Sequence, residues 1–261
     1  RFCRTHQALL VIDPHPDWQN CEAVVRDQEN SGFASPNTVT WYPGVMARNQ
    51  QGERVATTAA GSIAAALLPM LRGPKVRELH ESYPVMLRSG LRPVDKVDAV
   101  QVRHLARAGV NTLVQKSALH LSLQGNTTMS LLGALAGDHS DLETRARALF
   151  ILRRIRNGTR WTLFADHEIE TWQELESQVS DFLQALHRRA ILVGDAPEQA
   201  FYVRCDQETN AGLTGLTGEV AFIVGFALRR PNEFLSFRFQ RTDGVCRVTE
   251  LGHQSHLERA S

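Results

Sequence analysis

Ten residues near the C-terminus, 219-EVAFIVGFAL-228, constrain the fold more than any other stretch. After Glu219 the run is apolar at odd and even positions alike, so an extended chain here needs cover on both faces. The centre of a sheet gives that cover, and the run is too short to span a bilayer. Flanking runs supply its neighbours: 200-AFYVRC-205 before it, 233-EFLSFRFQR-241 after an Arg-Pro turn, and 245-VCRVTEL-251 as a further edge strand. Between the first two lies 207-QETNAGLTGLTG-218, a Gly/Thr-rich linker whose composition predicts mobility.

Helices precede this sheet. Ser140 and Glu143 have capping-box spacing, predicting a helix over 141–157 that stops at Asn157-Gly158. The run 160-RWTLFA-165 reads as a strand. Trp172, Leu175, Val179, Phe182, Leu183 and Leu186 then recur at helical spacing, an amphipathic helix of about five turns. In the first half, 7-QALLVID-13 reads as a buried strand halted by 14-PHP-16, 20–30 as a helix, and 38-TVTWYPGV-45 as β-rich. A polar loop over 46–58 leads into an Ala/Leu helix at 59–72. Residues 73–98 are broken by glycine and proline and read as irregular; a helix ending at Gly109 feeds the strand 110-VNTLVQ-115. The fold class is therefore α/β, a mixed sheet flanked by helices. It divides into an N-terminal part of the core over 1–139 with an irregular insertion at about 73–98, a C-terminal domain over 140–241, and a tail over 242–261.

Composition removes several functions. With 29 basic and 28 acidic residues among 261, the chain lacks the footprint of a nucleic-acid or membrane-surface binder. Cys3, Cys21, Cys205 and Cys246 form no C-x-x-C pair, which argues against a disulfide framework or zinc knuckle and for a reducing compartment, the cytoplasm. The chain opens on Arg1 without a signal segment and reads as a fragment.

No constellation of residues builds an active site. Cys205 sits beside Asp206, whose negative charge disfavours the thiolate a nucleophile needs. His253 and His256 have metal-ligand spacing but stand in a polar tail without a further ligand. Asp166, His167 and Glu168 lie where a helix begins, and capping accounts for them. Gly212, Gly215 and Gly218 precede a strand where a phosphate loop requires a helix. Catalytic, cofactor and metal residues are accordingly expected to be absent. A hydrolase-like enzyme using Cys205 or a histidine is the weakest reading.

Charge is organised more distinctly than chemistry. Residues 143–160 carry six arginines and one acid, whereas 166–189 carry six acids and two arginines, Arg188 and Arg189. Adjacent elements of opposite sign suit a protein that docks on copies of itself.

The ordered series of segments from 154 to 239 resembles the contractile tail sheath proteins of phages, tailocins and related injection systems. Its members are a basic helix ending at Gly158-Thr159, then Trp161 and Phe164, and the Trp172 helix with its Phe182-Leu183-x-x-Leu186 core. They continue with Gly194, Pro197-Glu198-x-Ala200-Phe201, Cys205-Asp206-x-x-Thr209-Asn210, the apolar strand, and Pro231-x-Glu233-Phe234. More loosely, 10-LVIDPHP-16, 41-WYPGV-45 and 109-GVNTLVQ-115 resemble sheath segments of the N-terminal half. The family's Gly-Val-Trp stretch has no counterpart in 73–93, its Trp-Gly-Ala-Arg-Thr motif survives only as 124-QGNTTMS-130, and its N-terminal arm is missing, which together mark a divergent paralogue.

The resemblance implies a structural subunit with no cofactor. It would stack in six-membered rings around an inner tube protein, alongside baseplate and terminator proteins, assembling in the bacterial cytoplasm and ending in a virion tail or released particle. A terminal or baseplate-proximal sheath-like protein is the alternative. Sheath arms add strands to neighbouring sheets. Phe222, Val224, Phe226, Phe234, Phe237 and Phe239 are therefore the expected residues of inter-subunit strand pairing, and the apolar 233–239 edge is expected to be covered by a partner. Glu170, Glu174, Asp181, Arg188 and Arg189 are the expected contacts to the tube or a neighbour. Cys-Asp-x-x-Thr-Asn would be architecture.

Overall fold

A computed structural model of the chain describes residues 2–28, 32, 34–72, 86–87, 90–117, 120–129 and 141–255. The chain divides into one unit of Ala8–Leu149 and another of Phe150–Ser261 joined by Arg1–Gln7. A single helical turn, α1 (Phe2–Thr5), belongs to the latter.

The N-terminal unit is an α/β layer. Its elements are β1 (Leu10–Ile12), α2 (Cys21–Gln28), β2 (Thr38–Tyr42), β3 (Val45–Arg48), β4 (Arg54–Thr57), α3 (Ala60–Arg72), β5 (Met86–Leu87), β6 (Arg92–Pro93), α4 (Ala99–Arg107), β7 (Asn111–Ser117) and β8 (His120–Gln124). The main sheet runs β1-β2-β7-β8-β5, parallel across its first three strands and antiparallel beyond. Alternation along β2 separates two cores. Val39 and Trp41 pack with Ile63 and Leu67 of α3, while Tyr42 packs with Val24 of α2 and Leu105 of α4. The 46–58 stretch is not a loop: β3 and β4 form a hairpin there, with β6 on its other side. Its polar sequence follows from exposure, since β4 is exposed at all four positions. The irregular reading of 73–98 falls mostly outside the described residues.

Helix α5 (Leu142–Gly158) starts on Asp141, whose carboxylate accepts from the Glu143 amide at 3.0 Å and the Thr144 hydroxyl at 2.6 Å. Ser140, the expected cap, lies outside the described residues. The α-helix ends at Gly158, as the sequence predicts, but Gly158 keeps a helical φ of −65° and the chain tightens into a 3-10 helix over Thr159–Phe164. The expected strand at 160–165 is therefore helical. Thr159 and Thr162 each donate their hydroxyl to a preceding carbonyl, Ile155 and Thr159, at 2.9 Å, feeding the helix where β-propensity alone favoured a strand.

The C-terminal unit then adds α6 (Ile169–Arg188), α7 (Pro197–Ala200), β9 (Phe201–Arg204), α8 (Gln207–Asn210), β10 (Val220–Phe226), β11 (Glu233–Thr242) and β12 (Val245–Ser255). These strands form an antiparallel sheet in the order β12-β11-β10-β9. Helix α6 packs its buried stripe of Leu175, Val179, Leu183 and Leu186 against β9. The apolar strand β10 is interior, as its sequence demands.

Candidate functional site

The C-terminal sheet places the expected strand-pairing residues in its middle. Phe222, Val224 and Phe226 alternate on one face of β10, opposite Phe239, Phe237 and Leu235 of β11. All six are buried. Phe222 stacks on Phe239 with ring centroids 4.8 Å apart, and Phe226 on Phe237 at 5.6 Å. Phe234 lies on the other face, where Tyr202 meets it edge-on at 5.4 Å and shares a 2.9 Å hydrogen bond with Ser236. Tyr202 crosses directly over Gly225: a Cβ at that position would stand 1.9 Å from the tyrosine ring, so glycine is required.

Both flanks of β10 and of β11 are used within the chain. The apolar edge of β11 is covered from Glu233 to Thr242 by β12 of the same chain, not by a partner. Among the described residues, β9 and β12 are the outer strands of this sheet. Neither β10 nor β11 has an open edge for a further strand.

The segment 205-CDQETN-210 is a stapled corner between β9 and β10. Asp206 caps α8, accepting from the Thr209 amide at 2.7 Å while the Thr209 hydroxyl accepts from the Asp206 amide at 2.9 Å. Asn210 reaches across: its side-chain oxygen accepts from the Ala221 amide at 2.7 Å, and its nitrogen donates to the Asp206 carbonyl at 2.8 Å. Cys205 is 5% exposed and directs its thiol at the Ala221 carbonyl, 3.6 Å away. Burial pushes its pKa up to about 12; Asn210 lowers it, while Glu176 and Asp206 add to the rise. At neutral pH this is a protonated packing group, not a nucleophile.

The glycine linker after α8 is held by hydrogen bonds. Glu219 accepts from the Thr214 amide at 2.9 Å and hydroxyl at 2.7 Å, and from the Leu216 amide at 3.4 Å. Gly218 adopts φ +85° and approaches Leu163 so closely that a Cβ would lie 2.7 Å from its carbonyl oxygen. Asp166 and His167 bind this loop rather than capping α6. The Asp166 carboxylate accepts from the Thr217 hydroxyl at 3.2 Å, and His167 Nδ1 lies 2.7 Å from the Glu219 carbonyl.

Two carboxylates of this corner titrate below their ordinary range. For Asp206, burial raises the pKa, but hydrogen bonds from Arg204 and Thr209 outweigh it; for Glu219, the Thr214 hydroxyl lowers it first, against a smaller effect of burial. Because the folded-state values lie below the unfolded ones, their stabilisation is present above about pH 4 and is lost as pH falls through the lowered values. Thermal midpoints of the wild-type chain should fall below that pH. Asp206→Asn should flatten the fall, and an unchanged acid profile in that variant would refute the assignment.

Along α6, Glu170, Glu174, Asp181 and Arg188 share one exposed stripe, with Arg189 exposed at the C-cap. The stripe is acidic at the helix N-terminus and basic at its C-terminus, matching the dipole. In the N-terminal unit, the two proline-rich segments line a common cleft of ≈ 830 Å³ that includes Asp13, Trp18, Tyr42 and Pro43. Asp13 is occupied there as the cap of α3, accepting from the amides of Ala59 at 2.7 Å and Ala60 at 3.0 Å. Of the tail histidines, His253 falls on β12 and His256 outside the described residues. Among the described residues, no cluster of three or more His, Cys, Asp or Glu stands where a metal could be held, and no helix is long and apolar enough to cross a membrane.

No family profile and no curated protein matches the chain. Solved structures do. A chain of the contracted sheath complex of PVC, an extracellular contractile injection system, superposes with a TM-score of 0.62 at 18% identity, covering 86% of this chain and 61% of that one. The contracted helical sheath of the anti-feeding prophage gives 0.62 at 21%, covering 87% and 59%. A chain of the anti-feeding prophage baseplate gives 0.61 at 19%, covering 85% and 57%. The chain thus spans about three fifths of the length of the structures it matches. At these identities the likeness is one of fold, and it covers both units: the chain has the fold of the contractile sheath proteins.

Proposed function

We propose that this chain is a structural subunit of a contractile tail sheath, one that polymerises in hexameric rings around an inner tube and contracts to drive that tube through a target envelope. The observation that carries the reading is the match to PVC and anti-feeding prophage sheath chains over more than four fifths of this chain. Cys205, buried and held protonated at the sheet corner, removes the motif that most resembled enzyme chemistry. The reading requires no nucleotide or cofactor. Its partners are other copies, the tube, and baseplate and terminator proteins, met in the bacterial cytoplasm before release of the particle. A strand donated by a neighbour would add to β9 or β12, the outer strands of the C-terminal sheet. A baseplate-proximal position is the second reading, favoured by the baseplate chain that matches equally well.

Negative-stain electron microscopy of the full chain, alone and co-expressed with its tube protein, tests the reading. Hollow cylinders with a ring repeat are expected; discrete rings alone favour the baseplate-proximal position, and monomers in both preparations overturn it. Arg188 and Arg189 are exposed at the end of α6 and serve as tube contacts in this reading. Reversing both charges should reduce tube-wrapped particles by about tenfold at low salt, since exposed ion pairs are salt-screened. Undiminished wrapping would remove that assignment.

A further inference from the structure

Three arginines of the C-terminal unit converge, with no carboxylate paired to them among the described residues. Arg241, near the end of β11, is 4% exposed, and the one hydrogen bond of its guanidinium among the described residues is a weak donation from Nη2 to the Thr159 hydroxyl at 3.4 Å. Arg156, in the last turn of α5, and Arg160, beside Thr159 in the 3-10 helix, both lie within electrostatic reach of Arg241. Arg156 donates only to neutral oxygens, the Thr5 carbonyl at 3.1 Å and the Gln7 side chain at 2.8 Å. Arg160 is exposed and without a partner among the described residues. Burial pushes the Arg241 guanidinium down from its ordinary value; Cys246 opposes this, and Arg160 and Arg156 add to it. A guanidinium that is buried, unmatched by any acid and crowded by two more is costly unless an oxyanion arrives to meet it. Its fork of donors suits a carboxylate.

The same chain carries a complement on another element. Glu170 and Glu174 are exposed on α6, also four residues apart, and neither has a partner among the described residues. Glu170 and Glu174 stand about 6 Å apart along a regular helix, and Arg156 and Arg160, which straddle the passage from α5 into the 3-10 helix, about 7 Å, so the two pairs are of similar length. We propose that the Arg156, Arg160 and Arg241 cluster is a carboxylate receptor, and that its occupant is the Glu170/Glu174 face of a second copy of this chain. Donor and acceptor surfaces are then different patches of one molecule. The contact is heterologous, and repeating it generates a ring or a helix instead of a closed dimer. This inference rests on the sheath reading and names a contact within it.

The test is a charge swap in the full chain, read by sedimentation velocity and electron microscopy across a salt series. R156E/R160E and E170R/E174R should each weaken self-association about tenfold or more, and the four-residue swap should recover it to within about threefold of wild type. Circular dichroism and melting confirm that each variant is folded; R160E alone replaces the arginine pair if loss of the Arg156 tether to α1 lowers stability. One-sided variants that associate like wild type, or a swap as weak as its parents, overturn the contact. Tube-wrapped rods in those same variants would leave the sheath reading standing. A wild-type chain that neither self-associates nor wraps the tube overturns both. Inorganic phosphate that raises the melting temperature of wild type but not of R241Q, with self-association indifferent to the reversals, assigns the cluster to a small anion and overturns the second copy as occupant.

Discussion

Phe239→Ala is expected to lower the stability of the C-terminal unit by about 4 kcal/mol. The side chain is fully buried and lies flat on Phe222, rings 6° from parallel. One residue pair along, Phe226 and Phe237 stack in the same way, so two aromatic layers cross the β10–β11 pair. Deleting one ring removes its transfer energy, leaves a cavity the sheet cannot close, and strips Phe222 of its partner. Phe239→Leu refills most of the volume and should cost about 1.5 kcal/mol or less. Urea unfolding measures both: the alanine midpoint should drop sharply at an unchanged slope, because the surface exposed on unfolding hardly changes. A loss under about 1 kcal/mol in the alanine variant would mean the aromatic layers do not hold this sheet. The consequence for assembly follows from the same packing. A sheet whose two inner strands are locked by stacked rings moves as one body, and in the sheath reading it would present a rigid edge to a strand added from outside.

Much of this sheet was legible in the sequence, because a strand apolar on both faces has one place to go. The run at 219–228 reads as central on burial grounds alone, and β10 is interior. The heptad-like recurrence of Leu175, Val179, Leu183 and Leu186 likewise located the buried stripe of α6. Less legible were segments whose structure depends on partners distant in sequence. The 160–165 run has the composition of a strand, yet threonine hydroxyls continue α5 through it, and Trp161 is held by a 2.7 Å bond from its indole nitrogen to Gln178. The 207–218 linker is flexible by composition, but Glu219 and Asp166 fix it from either side. The polar 46–58 run forms an exposed hairpin, where period-2 burial has no buried face to report. The apolar β11 edge reads as one for a partner because a free edge of that kind invites pairing and sheath arms add strands to neighbouring sheets, but the edge strand expected at 245–251 is longer and covers it from within the chain. The Arg241 cluster gave no local signal, since Arg156 and Arg241 are 85 positions apart by their numbers and only the fold brings them together.

Asn210→Ala should cost about 2 kcal/mol, and Cys205→Ala about 1 kcal/mol, although the cysteine is the more conspicuous residue. Asn210 is 4% exposed and its side-chain oxygen is the one side-chain acceptor, among the described residues, for the amide of Ala221; its nitrogen shares the carbonyl of Asp206 with the Thr209 hydroxyl at 2.9 Å. Removing it leaves the Ala221 amide a buried donor without that acceptor, and a buried unmet polar group costs the full loss of its hydration, while the Asp206 carbonyl keeps the Thr209 hydroxyl. Asn210→Asp keeps the bond from Ala221 but turns the second contact into oxygen against oxygen, so it should fall between the two. Cys205→Ala removes a small group whose bonds among the described residues are two weak ones through sulfur, and leaves a void of little more than one atom. Chemical denaturation of the three variants decides the matter by order, not by absolute size. If Cys205→Ala proves the costliest, or if it alone abolishes a measurable activity while leaving the fold intact, the corner is a reactive site. If Asn210→Ala leads, the corner is a joint. Its work is then to hold β9 and β10 in register where α8 turns the chain between them, next to the outer strand that a neighbouring subunit would have to meet.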